Sequence, residues 1–579
     1  MKRFSASLCG CLLASALHAV FFYWNVADIA FLAIVVSGVP ITWCVVALLP
    51  SKQLARAFWL GAAIGGGPSL LGCALLSVQI KKKLPLPNGR LISLLNMSGL
   101  ITVALLIMGF ASIDIRAYWA NQPLTSINSS KSLPPSAPNV ILISIDSWRA
   151  DTLFGYDELF PNIAALRNRS LWSDKTLVAA PSAIPSHLAM LTGDYPLKNG
   201  RRQADGIYRT KDSLARPTIF RVFNEAGWKT IALIWDTIKF DKSEVADGLD
   251  VYENYAQDNP RLLLLQSPSV PSWLRFMPQT YRQGMMHKLF GWRTKGYAGD
   301  IKELVIGDAP NKVTLRRSMG YLKNFSNDTQ PFFMFLHFVD LHQPYLSDES
   351  VRGTLTKELP WPKAYVDLPT HDRDVATTIS QDFVSGLPEA LTAAEYLHKI
   401  YLEELMQVDK CLGEIFSAVN DIERPTYLLL TSDHGEHFGE HGQMAHANSL
   451  YKDVLRVPLL LAGPTIQLTE LLSANLEDVL PTLTEAAQIN TPNNISGRSL
   501  LRSRPPQDYL ATSRTGFALF HGKWKLVVEH GGELYDSDKW QVLRLCDLSS
   551  DPDEWVDLSG EHAELVLKML DLASSIIRR

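Results

Sequence analysis

The sequence predicts an α/β fold, a mostly parallel sheet with helices on both faces, preceded by a helical transmembrane region. Three observations predict it. Apolar residues concentrate in the first 119 positions. Downstream, short unbroken apolar runs alternate with segments of helical spacing. Several of those runs end next to an aspartate. The chain has 579 residues, 47% hydrophobic and 20% charged, which excludes a disordered, collagen-like or coiled-coil protein. A formal charge of −4 supplies no basic field, and no nucleic-acid-binding motif is present, so nucleic acid is not an expected partner. Six cysteines without a C-x-x-C pair exclude a disulfide scaffold and a zinc ribbon.

Residues 1–119 read as membrane. Leu8–Trp24, Ala27–Leu49, Ala57–Val78 and Leu91–Ile113 each approach the roughly 20 residues that cross about 30 Å of hydrocarbon as a helix. Phe21-Phe22-Tyr23-Trp24 and Tyr118-Trp119 suit the interfacial aromatic belts. Lys2-Arg3, Lys52 with Arg56, and Lys81-Lys82-Lys83 with Arg90 would all face the cytoplasm only if the third run, broken by Gly65-Gly66-Gly67-Pro68, is re-entrant. Three or four spans stay open, and so does orientation, since four spans with the N-terminus inside would leave the C-terminal region in the cytoplasm. The expected arrangement is an integral membrane protein of the cell or inner membrane whose C-terminal region lies outside the cytoplasm. His18, in the first run, reads as a packed interfacial histidine.

Residues 120–138, with Asn, Ser, Lys and a Pro-Pro pair, form a linker. The domain 139–579 follows. Asn139–Ile145 is a continuous apolar run that ends at Asp146, the pattern of a strand buried on both faces. Thr230–Trp235, Phe332–Phe338, Thr426–Thr431 and Val457–Ala462 are further buried strands. Ile163–Leu171, Pro217–Ala226 and Ala393–Val419 have helical spacing. Alternation of this kind builds a parallel sheet, whose ligands bind beyond the carboxyl ends of the strands. Asp146, Asp340 and Asp433 each stand just after a strand, so they can converge on one edge.

Asp146, Asp433 and the adjacent His434 offer hard oxygens and one imidazole nitrogen, a set suited to a divalent Ca, Mn, Zn or Mg ion. The alternative for the aspartates is helix capping. His434, His437, His441 and His446 fall within 13 residues. His437-Phe-Gly-Glu440-His441 matches a zinc-protease pattern, but that pattern needs one helix, and Gly435, Gly439 and Gly442 mark a loop. His342, after the strand Phe332–Phe338, could protonate a leaving oxygen or grip an anion.

In this order and spacing the motifs resemble the sulfatases of the alkaline phosphatase superfamily. The segments are Val140-Ile-Leu-Ile-Ser-Ile-Asp146-Ser-Trp-Arg149-Ala-Asp151, Pro185-Ser-His187-Leu-Ala-Met-Leu-Thr-Gly193, and Pro331 through Asp340-Leu-His342-Gln-Pro-Tyr345. Thr431-Ser-Asp433-His434-Gly-Glu436, His446 and Leu455-Arg456-Val-Pro-Leu459 complete them. Gly522–Leu526 and Cys546–Asp553 match the family's C-terminal strand pair. The resemblance implies an alkaline-phosphatase-like sheet and a small C-terminal sheet subdomain from about 505 to 579. It implies that Asp146, Asp433 and His434 hold one divalent metal ion and that Arg149 lies near the nucleophile. His187, His342 and His446 would surround the sulfate or phosphate group.

Two positions depart from the family. Ala183 stands where sulfatases place the Cys or Ser that becomes formylglycine, and where related phosphoethanolamine and glycerolphosphate transferases place a Thr. A methyl group cannot attack. Ser182 next to it, or a water, is the alternative nucleophile. Ser147 stands where sulfatases often carry a second metal-binding Asp. Two readings follow: a membrane-anchored, metal-dependent hydrolase or transferase of sulfate or phosphate esters on a surface glycan or lipid, or a sulfatase-like pseudoenzyme that binds an anionic lipid or glycan as a sensor or scaffold. Between Ala256 and Pro310, Trp273, Phe276, Phe290 and Trp292 interleave with Arg275, Arg282, Lys288 and Arg293. That pattern suits an anionic membrane surface or a lid.

Overall fold

The computed structural model describes residues 133–579, apart from 197, 199–201, 205–206, 210–215, 235–245, 256–309, 327, 329, 344, 346, 367–372, 447, 504, 506, 532–533 and 579. The four expected spans, His18 and the basic-aromatic segment lie outside the described residues. Among the described residues no helix is long and apolar enough to cross a membrane.

The central strand is β1 (Asn139–Ile145), seven residues that are all buried. Chain order continues with β2 (Leu171–Leu177), the short hairpin β3 (Arg202–Ala204) and β4 (Ile207–Arg209), β5 (Lys229–Ile234), β6 (Val251–Asn254), β7 (Phe332–Phe338) and β8 (Thr426–Thr431). Next come β9 (His437–Phe438), β10 (Met444–Ala445), β11 (Arg456–Ala462), β12 (Thr469–Glu470) and β13 (Ala474–Asn475). Nine of these form one sheet in the order β12-β2-β11-β8-β1-β7-β5-β6, with β13 also paired to β2. β1 runs parallel to β7 and β8. β11 is antiparallel to both of its neighbours, β8 and β2, so the sheet is mixed but mostly parallel.

Helices cover both faces because the strands are apolar on both. The helices are α1 (Pro161–Arg167), α2 (Ala183–Thr192), α3 (Ile219–Ala226), α4 (Pro310–Phe325), α5 (Arg373–Ser385), α6 (Glu389–Asn420), α7 (Lys452–Leu455) and α8 (Val479–Ala486). Val140 and Leu142 pack with Leu188 of α2, Phe220 of α3 and Leu480 of α8. Ile141, Ile143 and Ile145 are equally buried and project to the opposite face by the two-residue period. Truncating one of them, such as Ile143→Ala, costs about 2–5 kcal/mol. Beyond residue 505 a four-stranded antiparallel sheet follows: β14 (Tyr509–Thr512), β15 (Gly516–His521), β16 (Trp524–Glu529) and β17 (Gln541–Asp547). Helix α9 (Ala563–Arg578) buries Val566, Met569 and Ala573 against it.

Three expectations need correction. The helix expected over Ile163–Leu171 stops at Arg167, and Leu171 opens β2, an alternating strand that sequence reasoning missed. Its burial alternates as far as Asp174, and a register irregularity against β11 at Asp174-Lys175 then breaks the pattern and hides the strand among polar residues. The segment Cys546–Asp553 is strand only to Asp547. Asp340 follows β7 on the same sheet edge but is not in the cation group with the other two aspartates: its Oδ1 accepts from the backbone N–H of Asn311, 3.1 Å away, at the start of α4.

Candidate metal centre and its imidazole rim

Asp146 and Asp433 sit at the carboxyl ends of the adjacent parallel strands β1 and β8, so the strand register brings them together although 286 positions of chain separate Ser147 from Asp433. Their oxygens and a His434 ring nitrogen all lie within 4.8 Å of one another, and all three residues are buried. His434 Nε2 is 3.7 Å from Asp146 Oδ1 and 3.5 Å from Asp433 Oδ2.

The loops carrying these groups are held by polar contacts. Ser147 takes a left-handed φ of 62°. That turn aims its N–H at Asp433 Oδ1 (3.3 Å) and its hydroxyl at Asp146 Oδ1 (3.0 Å). Trp148 N–H donates to Ser432 Oγ, which donates to the His434 carbonyl. Tyr401 of α6 donates to the Ser147 carbonyl and accepts from Arg149 N–H. Gly435 follows His434 at a point where a Cβ would stand 2.0 Å from the Asp453 carbonyl, so only glycine fits that backbone crossing.

The donor set fits a divalent cation. Asp433 Oδ2 and His434 Nε2 are buried without a hydrogen-bond partner, a costly arrangement that a cation between them would satisfy. Burial pushes the Asp146 carboxyl up, but the imidazoles of His342, His337 and His434 outweigh it and hold Asp146 well below the usual carboxylate range. Burial and the neighbouring Asp146 charge raise Asp433. Burial opposes charge on His434, yet the two aspartates lift it above an ordinary histidine. Two carboxylates crowded this closely favour a positive charge between them.

The expected site residues divide into two groups. His342 and His446 lie beside the metal ligands: the His446 ring centroid is 4.2 Å from that of His434 and 5.1 Å from that of His342. Both are partly exposed, so they form the open side of the cluster. Burial and the nearby His446 push His342 down to about 4. His187 is buried in the wall instead. Its Nδ1 lies 2.8 Å from the Ala183 carbonyl and 3.4 Å from Asp433 Oδ2, and its Nε2 lies 3.1 Å from Ser144 Oγ. With Nδ1–H donating to Ala183, the Ser144 hydroxyl donates to Nε2.

Arg149 is engaged by carboxylates. Its guanidinium makes two bonds to Asp151 (3.0 and 2.6 Å), one to the Glu436 carbonyl (2.8 Å) and an ion pair with Glu440 at 2.8 Å. Ser182 occupies the N-cap position of α2 without a side-chain capping bond, and Ala183 opens the helix. Both are partly exposed beside the buried His187.

Two further groups belong to the site and were given no role from sequence. Glu436 Oε1 lies 2.9 Å from His446 Nδ1, and burial raises the Glu436 carboxyl to about 7. His337 Nε2 stands 3.7 Å from Asp146 Oδ2, its ring edge-on to His187. A histidine inside the otherwise apolar run Phe332–Phe338 was the available signal. His437 lies in β9 and bonds Ser449, whereas His441 stacks on Tyr451. They share no helix, which removes the protease pattern.

The family model described as Sulfatase matches residues 138–489. Arylsulfatase K of Xenopus laevis is 30% identical over 497 residues, covering 79% of this chain and 85% of that protein. Arylsulfatase of Clostridium perfringens is 23% identical over 409 residues, covering 63% of this chain and 77% of that protein. The phosphonate monoester hydrolase of Agrobacterium radiobacter superposes with a TM-score of 0.54 at 17% identity, over 76% of this chain and 95% of that one, a likeness of fold. With the mixed sheet, the family match and the identity to arylsulfatase K agreeing, the chain belongs to the sulfatase family of the alkaline phosphatase superfamily.

Proposed function

We propose that this sulfatase-family chain is a metal-dependent hydrolase of sulfate esters on a surface glycan or lipid. Residues 1–119 would hold it to a membrane, 120–138 would link, and the domain 139–579 would face outside the cytoplasm. The observation that carries the catalytic reading is the pair of buried, unpartnered atoms Asp433 Oδ2 and His434 Nε2 facing Asp146. Asp146, Asp433 and His434 would hold the cation, of the Ca, Mn, Zn or Mg class, which when bound neutralises the charge on the ester oxygens. The His446–Glu436 pair then supplies the proton to the leaving oxygen, with Glu436 fixing the ring through Nδ1. His342 beside it contacts the anionic group. The α2 N-terminus directs backbone N–H groups toward negative charge.

Attack on sulfur then falls to a water or to Ser182. Turnover of an aryl sulfate by the purified full-length protein, with Ca²⁺, Mn²⁺, Zn²⁺ or Mg²⁺ added, tests the reading, with phosphomonoester and phosphodiester arms beside it. Activity lost in Asp433→Asn supports it. Loss in Ser182→Ala as well assigns the nucleophile to Ser182, and retention assigns it to water. Ala183 favours a second reading, a binding pseudoenzyme. Divalent-ion binding without turnover of any ester would establish that reading instead.

A further inference from the structure

The loop that follows the metal ligands also builds a layered aromatic platform. The His441 ring stacks on Tyr451 with centroids 3.7 Å apart and planes 5° off parallel, and Trp555 lies tilted against it at 4.3 Å and 34°. Two rings with centroids this close to a third would overlap on one face, so they occupy opposite faces and the exposed Trp555 is the outer layer. It is 62% exposed.

The backbone is strained to make this arrangement. His441 has φ 54° and Glu554, the residue before Trp555, has φ 62°, both left-handed without being glycine. Glu554 is fully buried in an ion pair with Lys525, 2.6 Å away, and its carbonyl accepts from Arg544. A buried pair thus clamps the turn that presents an exposed tryptophan. Nothing in the packing of the core requires that tryptophan.

Beside the platform lies a hollow of about 200 Å³ lined by four basic residues, Arg149, Lys175, Lys452 and Arg456, and three aspartates, Asp151, Asp174 and Asp453. Tyr451, Lys452 and Asp453 are consecutive, and Lys452 reaches Asp553, two residues before Trp555, so hollow and platform are continuous. Arg149 is neutralised by Asp151 and Glu440. Arg456 is half-buried and forms no ion pair among the described residues. A partly desolvated guanidinium without a carboxylate is matched by a sulfate or carboxylate, which its fork of donors fits in two-pronged fashion.

We propose that platform and hollow form a subsite for an anionic sugar unit of a glycan. The apolar face of the pyranose lies on Trp555 and its sulfate or carboxylate group meets Arg456. This deepens the sulfatase reading by choosing glycan over lipid, and it rests on that reading only for calling the glycan a substrate. Aromatic anchors beside positive charge are the combination in which few residues dominate affinity.

The test is calorimetric titration of full-length protein with a heparin tetrasaccharide and with its fully desulfated counterpart. Trp555→Ala and Arg456→Gln are each expected to raise the Kd for the sulfated form about tenfold. Trp555→Phe, which keeps a stacking face, is expected to restore most of the affinity. Unchanged melting temperatures would show that the variants fold. The proposal is overturned if the wild type binds no tetrasaccharide, if the desulfated form binds equally well, or if the variants bind as the wild type does. It is equally overturned if Trp555→Ala weakens only association with anionic phospholipid vesicles. Aryl sulfate turnover without tetrasaccharide binding removes the subsite and leaves the hydrolase. Tetrasaccharide binding through Trp555 without turnover of any ester removes the hydrolase and leaves the subsite.

Discussion

His434 Nε2 and Asp433 Oδ2 lie 3.5 Å apart, fully buried, and neither has a hydrogen-bond partner. Adjacent residues in a strand-to-loop turn have been aimed at one point in space, with Asp146 closing the third side. An apolar core does not need this arrangement, and without an ion it is costly.

A cation is therefore expected to stabilise the folded protein. At about 100 times its Kd, a bound ion adds about 2.7 kcal/mol and raises the melting temperature. Asp433→Asn is expected to abolish that rise. In chelator the variant should melt no lower than the wild type, because it removes one of two crowded carboxylates. Differential scanning calorimetry with and without each divalent ion checks this, and a wild-type melting temperature indifferent to all of them would refute it.

Arg149 links the first ligand loop to Glu436 and Glu440 in the second. Arg149→Ala would leave Glu440 and Asp453 near each other without their cation, and is expected to cost about 3–5 kcal/mol. The denaturation midpoint in urea should fall accordingly, and Arg149→Lys, without the forked geometry, should recover only part of the loss.

His398 stacks on Phe438, its Nε2 is buried without a partner, and burial with the Arg149 charge nearby pushes it down to about 4. A histidine whose pKa is lower in the folded state contributes stability that is complete above its unfolded value near 6.5. That stability is lost as pH falls through 4. The full span is on the order of 3 kcal/mol. His398→Phe keeps the stacking and is expected to flatten the stability curve between pH 6.5 and 4.

Glu436 holds the His446 ring by Nδ1. If that ring protonates the leaving oxygen, Glu436→Gln should slow alkyl sulfates, which need the proton, by about 10²-fold in kcat. Nitrophenyl sulfate, whose leaving group needs little help, should be slowed much less. Equal loss on both substrates would mean that Glu436 only supports the fold.

Much of the architecture follows from local pattern. β1, β7 and β8 span the residues that the mostly apolar runs mark, because a strand buried on both faces is apolar at most positions on both. An aspartate directly after such a strand stands at the sheet's carboxyl edge, so Asp146 and Asp433 could be placed there from order alone. β2 was illegible because one of its faces is partly solvated, and Asp174-Lys175 reads as a loop when the partner strand β11 is unknown.

Sequence order by itself determined the parallel frame, the sulfatase motifs and the residue types available to hold a cation. Only tertiary structure decided which of them meet. It left Asp340 outside the group formed by Asp146, Asp433 and His434 and engaged it with the start of α4. It turned His187 into the wall, paired Glu436 with His446 and occupied Arg149 with carboxylates. The physical reason is directional: a strand run specifies where a Cα lies along one edge, whereas a hydrogen bond or ion pair forms only when two side chains from distant segments point at one another. That orientation is set by helices and turns packed from elsewhere in the chain.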